Sequence, residues 1–559
     1  MIMNRVFAQR SGLNRHRITH IVGLLLASAA ATQAANPAGY GLEAAKAQLK
    51  SLKTPEGLAA TLFAAEPMVV NPANMDVDAR GRVWATEGAN YRLWQKWGKL
   101  REGGDRIVIL EDTDKNGMAD KSTTFYQGNE INTALGICVL GEKVIVSCSP
   151  NVFIFTDANR DDRADGPPVK LFTGIKAVDH DHGVHAFIFG PDGKLYFNMG
   201  NDSKEIHRPE GGLVKDLAGN DVITSGKPYR QGLAFRCNLD GSDFETIGWN
   251  FRNNYELCVD SFGTVWQSDN DDDGNRGARI NYVMQFGNYG YTDEISGEGW
   301  QVAWKKAQAK GVSDDLRPSY HWHLSDPGVV PNLLMTGNGS PTGILIYEGS
   351  LLPSIFHNQI LHCDPGPRVV RAYPVQGSGA GYQATSVDLL TSDDTWFRPS
   401  DVCVGPDGSV YVADWNDAGV GGHFMADQKL ETLTGRIYRV APKGHAIKNP
   451  EMNTRTTAGA IAALQSPNHE VRYHGWTALK QTGRKAETAL QKLWTGNDAR
   501  MRARALHLLA RIEGKSDAYI SKAITDKDPD IRITGLRIAV DLKKAVEPLV
   551  SKLVNDPSP

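Results

Sequence analysis

Phe189-Gly190-Pro191-Asp192-Gly193-Lys194-Leu195-Tyr196 is an apolar run, a Gly-containing tight turn and a second apolar run. Short Asp and Gly residues between two β-prone segments predict a pair of antiparallel strands. The unit recurs. Met75 to Trp84 carries Asp78-Ala79-Arg80-Gly81, and Val259 to Trp266 carries Asp260-Ser261-Phe262-Gly263. Val404 to Tyr411 carries Gly405-Pro406-Asp407-Gly408, and looser copies lie at Cys138 to Ser147 and Gly343 to His362. Further strands come after these units, such as Arg106–Leu110, Val152–Phe155 and Arg436–Val440. Six units over residues 57–442 predict a six-bladed β-propeller. An array of β-sandwiches is the alternative; the even scatter of the repeats favours a ring.

Beyond residue 442 the chain turns rich in Ala, Leu, Lys and Arg at helical spacing. Val471-Arg472, Met501-Arg502 and Ile531-Arg532 follow Ser466-Pro467-Asn468, Gly496-Asn497-Asp498 and Asp526-Lys527-Asp528-Pro529, at a spacing of 30 residues. One helix pair cannot bury its apolar face alone, so residues 443–559 predict a HEAT-like α-helical solenoid. Asn555 to Pro559 reopens the same turn, and the next apolar–Arg pair would fall near position 561. The expectation is that the repeat continues and that this chain is the front part of a longer polypeptide.

At 559 residues several domains are expected. The net charge of −3 weighs against a dedicated nucleic-acid binder. Residues 1–34 read as a secretory signal peptide. Arg5, Arg10, Arg15 and Arg17 precede the apolar run Ile21 to Ala31 and the small-x-small site Thr32-Gln33-Ala34. An uncleaved anchor is the alternative, for which the run is short. Residues 35–56 read as a short helix and linker. The six Cys are scattered, with no C-x-x-C pair and no C-x-x-C-H haem site, and read as buried free thiols.

Polar chemistry concentrates in a few places. Asp179-His180-Asp181-His182-Gly183-Val184-His185 is dense for a chain with 15 His, and can bind a metal or supply a general base. Phe251-Arg252-Asn253-Asn254 offers a forked guanidinium for an anionic group. Asp269, Asp271 and Asp273, in Asp269-Asn270-Asp271-Asp272-Asp273-Gly274, can hold a hard cation through oxygens. Asp112, Asp114, Asn116 and Asp120 alternate around Gly117 in a calcium-loop pattern without the closing Glu, and Asp157 to Asp165 does the same without the Gly. Solvated Asp/Asn-rich turns are the plain alternative for each. His321-Trp322-His323 and Trp396-Phe397-Arg398-Pro399 set aromatics beside polar groups.

Asp181-His182, eight residues ahead of Gly190-Pro191-Asp192-Gly193, resembles the catalytic segment of the soluble quinoprotein glucose/sorbosone dehydrogenases. The resemblance implies His182 as general base, Asp181 as its orienting acid, and hydride transfer to pyrroloquinoline quinone. Phe251-Arg252-Asn253 resembles that family's R-N-P segment, which puts Arg252 and Asn253 against cofactor and substrate. Gln267 to Gly274 falls at the family's Ca²⁺ loop, and Trp396 to Asp401 resembles its R-x-R-D-V segment, with Arg398 as the first Arg and Trp396 beside it. Ser400 stands where the second Arg is expected, and no Lys lies around Cys363-Asp364-Pro365-Gly366-Pro367. Two cationic partners of a tri-anionic cofactor are therefore missing, each worth about 1.5–3 kcal/mol.

Over residues 55–559 the chain is similar to a planctomycete and verrucomicrobial family of membrane-bound dehydrogenases. Asn338-Gly339-Ser340-Pro341-Thr342-Gly343, Asp414-Trp415 and Gly421-Gly422-His423 carry that likeness. It implies a secreted propeller with HEAT-like repeats and a C-terminal cytochrome c module, whose haem c is absent from these residues. The expectation is an envelope or periplasmic oxidoreductase that oxidises a sugar or related alcohol with pyrroloquinoline quinone and Ca²⁺. Electrons would pass to the haem module or a cytochrome c-type acceptor, and a protein partner could dock on the solenoid. The alternatives are a non-catalytic glycan- or partner-binding protein and a metal-dependent lactonase-like hydrolase.

Overall fold

In the computed structural model, which describes residues 39–91, 99–177, 182–272, 276–337, 340–419 and 429–559, six sheets succeed one another along the chain, antiparallel except where Gly287–Asn288 adds a parallel strand to the third. Blade 1 runs from its inner to its outer strand as Pro72–Val77, Val83–Glu87, Asp105–Glu111 and Lys121–Gly128. Blade 2 is Gly136–Leu140, Lys143–Cys148, Asn151–Thr156 and Val169–Phe172; blade 3 is Val184–Phe189, Leu195–Met199, Gly232–Cys237 and Glu245–Phe251. Blade 4 is Leu257–Val259, Val265–Asp269, Arg279–Val283 and Leu334–Met335. Blade 5 is Ile344–Tyr347, Gln359–Asp364, Val369–Tyr373 and Val387–Ser392, and blade 6 begins Pro399–Val404, Val410–Asp414 and Arg436–Pro442. Its outer strand comes from the other end of the chain: Leu58–Ala65 pairs antiparallel with Arg436–Pro442. Each inner strand lies against the next, and that of blade 6 against that of blade 1, so the ring closes. The expected six-bladed propeller is what forms.

The recurring turns explain themselves. Gly81, Gly193, Gly263 and Gly408 all adopt positive φ, between 81° and 88°, where a Cβ is disfavoured. The turn carboxylates accept the turn's own N–H groups: Asp260 Oδ1 from Phe262 (2.9 Å) and Thr264 (2.8 Å), and Asp78 Oδ1 from Arg80 (2.9 Å) and Arg82 (3.0 Å). Apolar faces then pack blade on blade, as where Trp84, Ile107 and Phe125 of blade 1 meet Ile137, Val144 and Phe153 of blade 2.

Helix α1 (Leu42–Leu49) forms where a short helix is expected, but the residues after it are no free linker: Leu52–Lys53 pairs with blade 5. Helices α2 (Trp300–Ala309) and α3 (Arg317–Tyr320) lie in an insert between the third and fourth strands of blade 4. The C-terminal region is helical: α4 (Thr457–Leu464), α5 (His469–Thr482), α6 (Glu487–Trp494), α7 (Ala499–Leu509), α8 (Ser516–Ala523), α9 (Pro529–Asp541) and α10 (Glu547–Leu553). The 30-residue turn signal marks the starts of α5, α7 and α9, where Asn468, Asp498 and Asp528 accept backbone N–H groups as N-caps. Helices α4 and α5, α6 and α7, and α8 and α9 pack in pairs.

This helical region covers the end of the ring that carries the Gly turns. Asn468 Nδ2 donates to the Val77 (2.7 Å) and Val404 (2.8 Å) carbonyls. Buried Glu348 of blade 5 receives Arg472 (2.6 Å), Arg500 (2.7 Å) and Arg504 (2.7 Å). The six Cys are free, five of them buried and Cys403 half-buried, as the sequence reads. Among the described residues no helix is long and apolar enough to cross a membrane. The signal-like residues 1–34 lie outside the described residues.

Candidate functional site at the mouth of the ring

Apart from the outer strand of blade 6, Leu58–Ala65, the chain enters each blade by its inner strand, so the segments just before those strands gather at the end opposite the helices. His182 precedes the inner strand of blade 3, Arg252 and Asn253 that of blade 4, and Arg398 that of blade 6. Asp181 and Asp273, both expected at the site, lie outside the described residues.

His182 is half-buried, and its Nδ1 lies 2.7 Å from Asn201 Oδ1. A carboxamide oxygen only accepts, so Nδ1 carries the hydrogen and the lone pair is left on Nε2. Asn201 is itself held: its backbone N–H donates to the Arg252 carbonyl (2.8 Å). Ser203 Oγ donates to the His182 carbonyl (2.7 Å). A Cβ on Gly200 would stand 2.8 Å from both the His182 carbonyl oxygen and Asn253 Oδ1, so only glycine lets these strands approach. Burial, then the Arg252 guanidinium, push the imidazole's pKa down to about 3, which keeps it neutral.

The Arg252 backbone N–H donates to Asp269 Oδ1 (3.1 Å), and its Nε lies 3.3 Å from Asp272 Oδ1. Two insert residues reach the same carboxylate: Tyr291 Oη donates to Asp272 Oδ2 (3.2 Å), and His321 Nε2 lies 3.5 Å from that oxygen. Burial, then Arg279 and Arg252, hold the His321 pKa well below the ordinary range. The His321 ring stacks on Trp300 with centroids 5.7 Å apart. Trp322 is fully buried beneath Arg279, whose guanidinium carbon lies 3.5 Å from its ring centroid. Asn253 Oδ1 is buried without a hydrogen-bond partner among the described residues.

Other expected site residues are engaged elsewhere. Asp269 is fully buried against Arg279 (2.8 Å), and Asp271 accepts the Gly277 N–H. The guanidinium of Arg398 is bound by carbonyls of Phe397 (2.9 Å), Ala418 (2.9 Å) and Gly419 (2.8 Å), while Trp396 is buried. Burial pushes the Arg398 pKa down to about 10. In the exposed loop of blade 1, Asp112 accepts the Asn116 and Gly117 N–H groups, Asp114 that of Asn116, and Asp120 that of Thr113. Among the described residues no group of three or more His, Cys, Asp or Glu converges to hold a metal.

Sequence reasoning passed over the acids on the inner strands. Asp401 Oδ2 accepts Asn74 Nδ2 and the Met75 N–H, each at 2.7 Å, and Glu256 Oε2 accepts the Ile344 N–H (3.0 Å). Burial pushes the Asp401 pKa up to about 7, and burial, then the Asp401 carboxylate, push that of Glu256 well above its usual range. An acid at the start of an apolar inner-strand run, as in Glu256-Leu257-Cys258-Val259, was the signal available.

A protein-family model described as Domain of unknown function (DUF7133) matches residues 44–444. No curated protein matches the chain. Among solved structures, the PQQ-bound form of an aldose sugar dehydrogenase from Streptomyces coelicolor is 16% identical, covering 70% of this chain and 99% of that one, with a TM-score of 0.43. A calcium structure of a Trichoderma reesei carbohydrate-active enzyme of family AA12 is 14% identical over 70% of this chain and 97% of that one (TM-score 0.45). The apo-form of the soluble aldose sugar dehydrogenase from Escherichia coli is 13% identical over 69% of this chain and all of that one (100%; TM-score 0.44).

Proposed function

The chain belongs to the family described as Domain of unknown function (DUF7133), and because that description assigns no activity, we propose from the site itself an oxidoreductase acting on a sugar or related alcohol. One observation carries the reading: a neutral imidazole, its lone pair placed on Nε2 by the Asn201 contact at Nδ1, beside the Arg252 guanidinium. A substrate hydroxyl donates to His182 Nε2. As its C–H bond gives up a hydride to a two-electron acceptor, the hydroxyl proton passes to Nε2 and a carbonyl forms. Arg252 stabilises the charge that develops on oxygen before the proton has left. A base with so low a pKa takes the proton only in step with bond cleavage.

The residues do not fit pyrroloquinoline quinone, which brings three carboxylates. Arg252 is shared with Asp272, and three of the five Arg398 donors are taken by backbone carbonyls. Where the resemblance calls for Lys there is Asp364, a buried carboxyl with Arg371 3.7 Å away and a pKa pushed up to about 7 by burial. No step is therefore assigned to that cofactor. A cation at the Asp112–Asp120 loop would be structural, since that loop joins outer strands of blade 1. An envelope location, a cytochrome c-type acceptor and a HEAT-like character for the helical region rest on the sequence resemblance and on the signal-like residues 1–34.

The test is dye-coupled oxidation of an aldose and alditol panel by the purified chain, with and without added quinone and Ca²⁺. Turnover that falls by about 10²-fold or more in His182→Gln is expected. Saturable sugar binding without turnover would replace the reading with a glycan-binding one. Lactone hydrolysis without oxidation would replace it with a hydrolase.

A further inference from the structure

We infer that Asp272 is a specificity-determining residue that masks the charge of Arg252, so that the mouth takes uncharged, hydroxyl-bearing ligands in preference to anionic ones. The hydroxyl substrate rests on the function proposed above; the masking does not.

The geometry is a clamp. Asp272 Oδ1 lies 3.3 Å from Arg252 Nε, and the two side chains are only 22% and 10% exposed, so water screens the pair weakly. From the far side the insert holds the same carboxylate through Tyr291 Oη at 3.2 Å, with His321 Nε2 3.5 Å away. The neighbouring guanidinium is also matched, because Arg279 is paired with Asp269 at 2.8 Å with both side chains fully buried. The two cations thus face two carboxylates, and the imidazoles of His182 and His321 are neutral. Among the described residues, this part of the mouth has no unmatched positive charge for an anion. The Nε2 lone pair of His182 is an acceptor. Acceptors call for hydroxyl hydrogens.

Because Tyr291 and His321 come from the insert, that segment sets both the aim and the effective charge of Arg252. Asp272 acts through Arg252, so it is a positioning residue, and its removal should move neutral and anionic ligands in opposite directions. General damage to the site would weaken both.

The decisive probe is inorganic sulfate, titrated by calorimetry into the full chain, alongside a neutral aldose and its aldonate. Asp272→Asn should bind sulfate and the aldonate at least tenfold more tightly than wild type, with the aldose unchanged or weaker. Adding Arg252→Gln should abolish the gain. Tyr291→Phe, the milder change, should give a gain of a few fold and serves if Asp272→Asn does not fold. Equal sulfate affinity in wild type and the folded variants overturns the inference, as does a gain that survives Arg252→Gln. Failure of every sugar to bind would count against the proposed function and leave the sulfate comparison decisive for the clamp.

Discussion

The indole Nε1–H of Trp476 donates to the Pro191 carbonyl oxygen at 3.0 Å. One partner is a helix residue of the C-terminal region. The other sits in the tight turn of blade 3, so the turns that build the propeller also carry the helices. Arg537 repeats the arrangement on blade 4, donating to the Phe262 carbonyl (3.1 Å) and to Thr264 Oγ1 (2.9 Å). The helical region is thus a fixed cap on one end of the ring, and the mouth with His182 and Arg252 is left at the other.

Gly193 should be intolerant of a side chain. Its φ is +86°, and a Cβ would stand 2.2 Å from the Trp476 ring. Gly193→Ala should cost about 2–4 kcal/mol in urea unfolding, from backbone strain plus overpacking. In a Trp476→Ala background the increment should shrink to about 1 kcal/mol, the strain alone. An unchanged increment would mean that the ring is not what the new methyl meets.

Glu348 should be the costliest single polar contact between ring and cap. Three Arg reach it, as do the Ser261 N–H (2.9 Å) and hydroxyl (2.8 Å). Glu348→Gln leaves buried guanidinium charge unmatched and should cost about 3–5 kcal/mol. Arg504 and its fellow cations hold the Glu348 pKa well below the usual range, against burial. Its contribution is therefore present above the ordinary carboxyl range and is lost as pH falls through the lowered value. Denaturant midpoints between pH 7 and pH 3 should show the variant losing less than wild type.

Asp76 acts with the opposite sign. Burial pushes its pKa up to about 8, and Asp105 up to about 7, against about 3.9 in an unfolded chain. The folded state holds these protons more tightly, so the associated stability is complete below about pH 4 and is lost as pH rises toward 8. Each group contributes a slope of up to about 1.4 kcal/mol per pH unit. Asp76→Asn should flatten the decline between pH 5 and pH 8, whatever its effect at pH 5. A slope equal to wild type would remove Asp76 from the account.

Asn201 should govern the proton of His182. Burial, then Arg252, hold the imidazole pKa down to about 3, and the neutral Asn201 oxygen, 2.7 Å from Nδ1, opposes them only in part. Asn201→Asp puts an opposite charge there and should raise the imidazole pKa by at least one unit. The imidazole resonances report this directly, and the acid limb of any turnover profile should move up with them.

Much of the architecture was legible because it is local. The Asp and Gly of each turn satisfy and bend their own four residues, and Asn468, Asp498 and Asp528 cap the helices they precede. The mouth was legible in part. His182, Arg252 and Asn253 stand out by residue type, but Asn201 is an unremarkable Asn in sequence, and it decides which nitrogen of His182 is open. Arg398 was expected to grip a ligand. The chain brings it to the correct end, where burial obliges its donors to take the nearest carbonyls, those of Phe397, Ala418 and Gly419. Tyr291 and His321 gave no hint of a shared carboxylate, because the insert runs parallel to the outer strand of blade 3 before they meet Asp272.

The amino-acid order alone determined six hairpin units and a train of capped helices, since turn chemistry and strand or helix periodicity act over a few residues. Tertiary structure alone decided which charges cancel: Asp272 with Arg252, Asp269 with Arg279, Glu348 with three Arg. Such pairings join residues from 10 to 156 positions apart. They depend on which groups ring closure and helix docking remove from water together, and spacing along the chain does not record that.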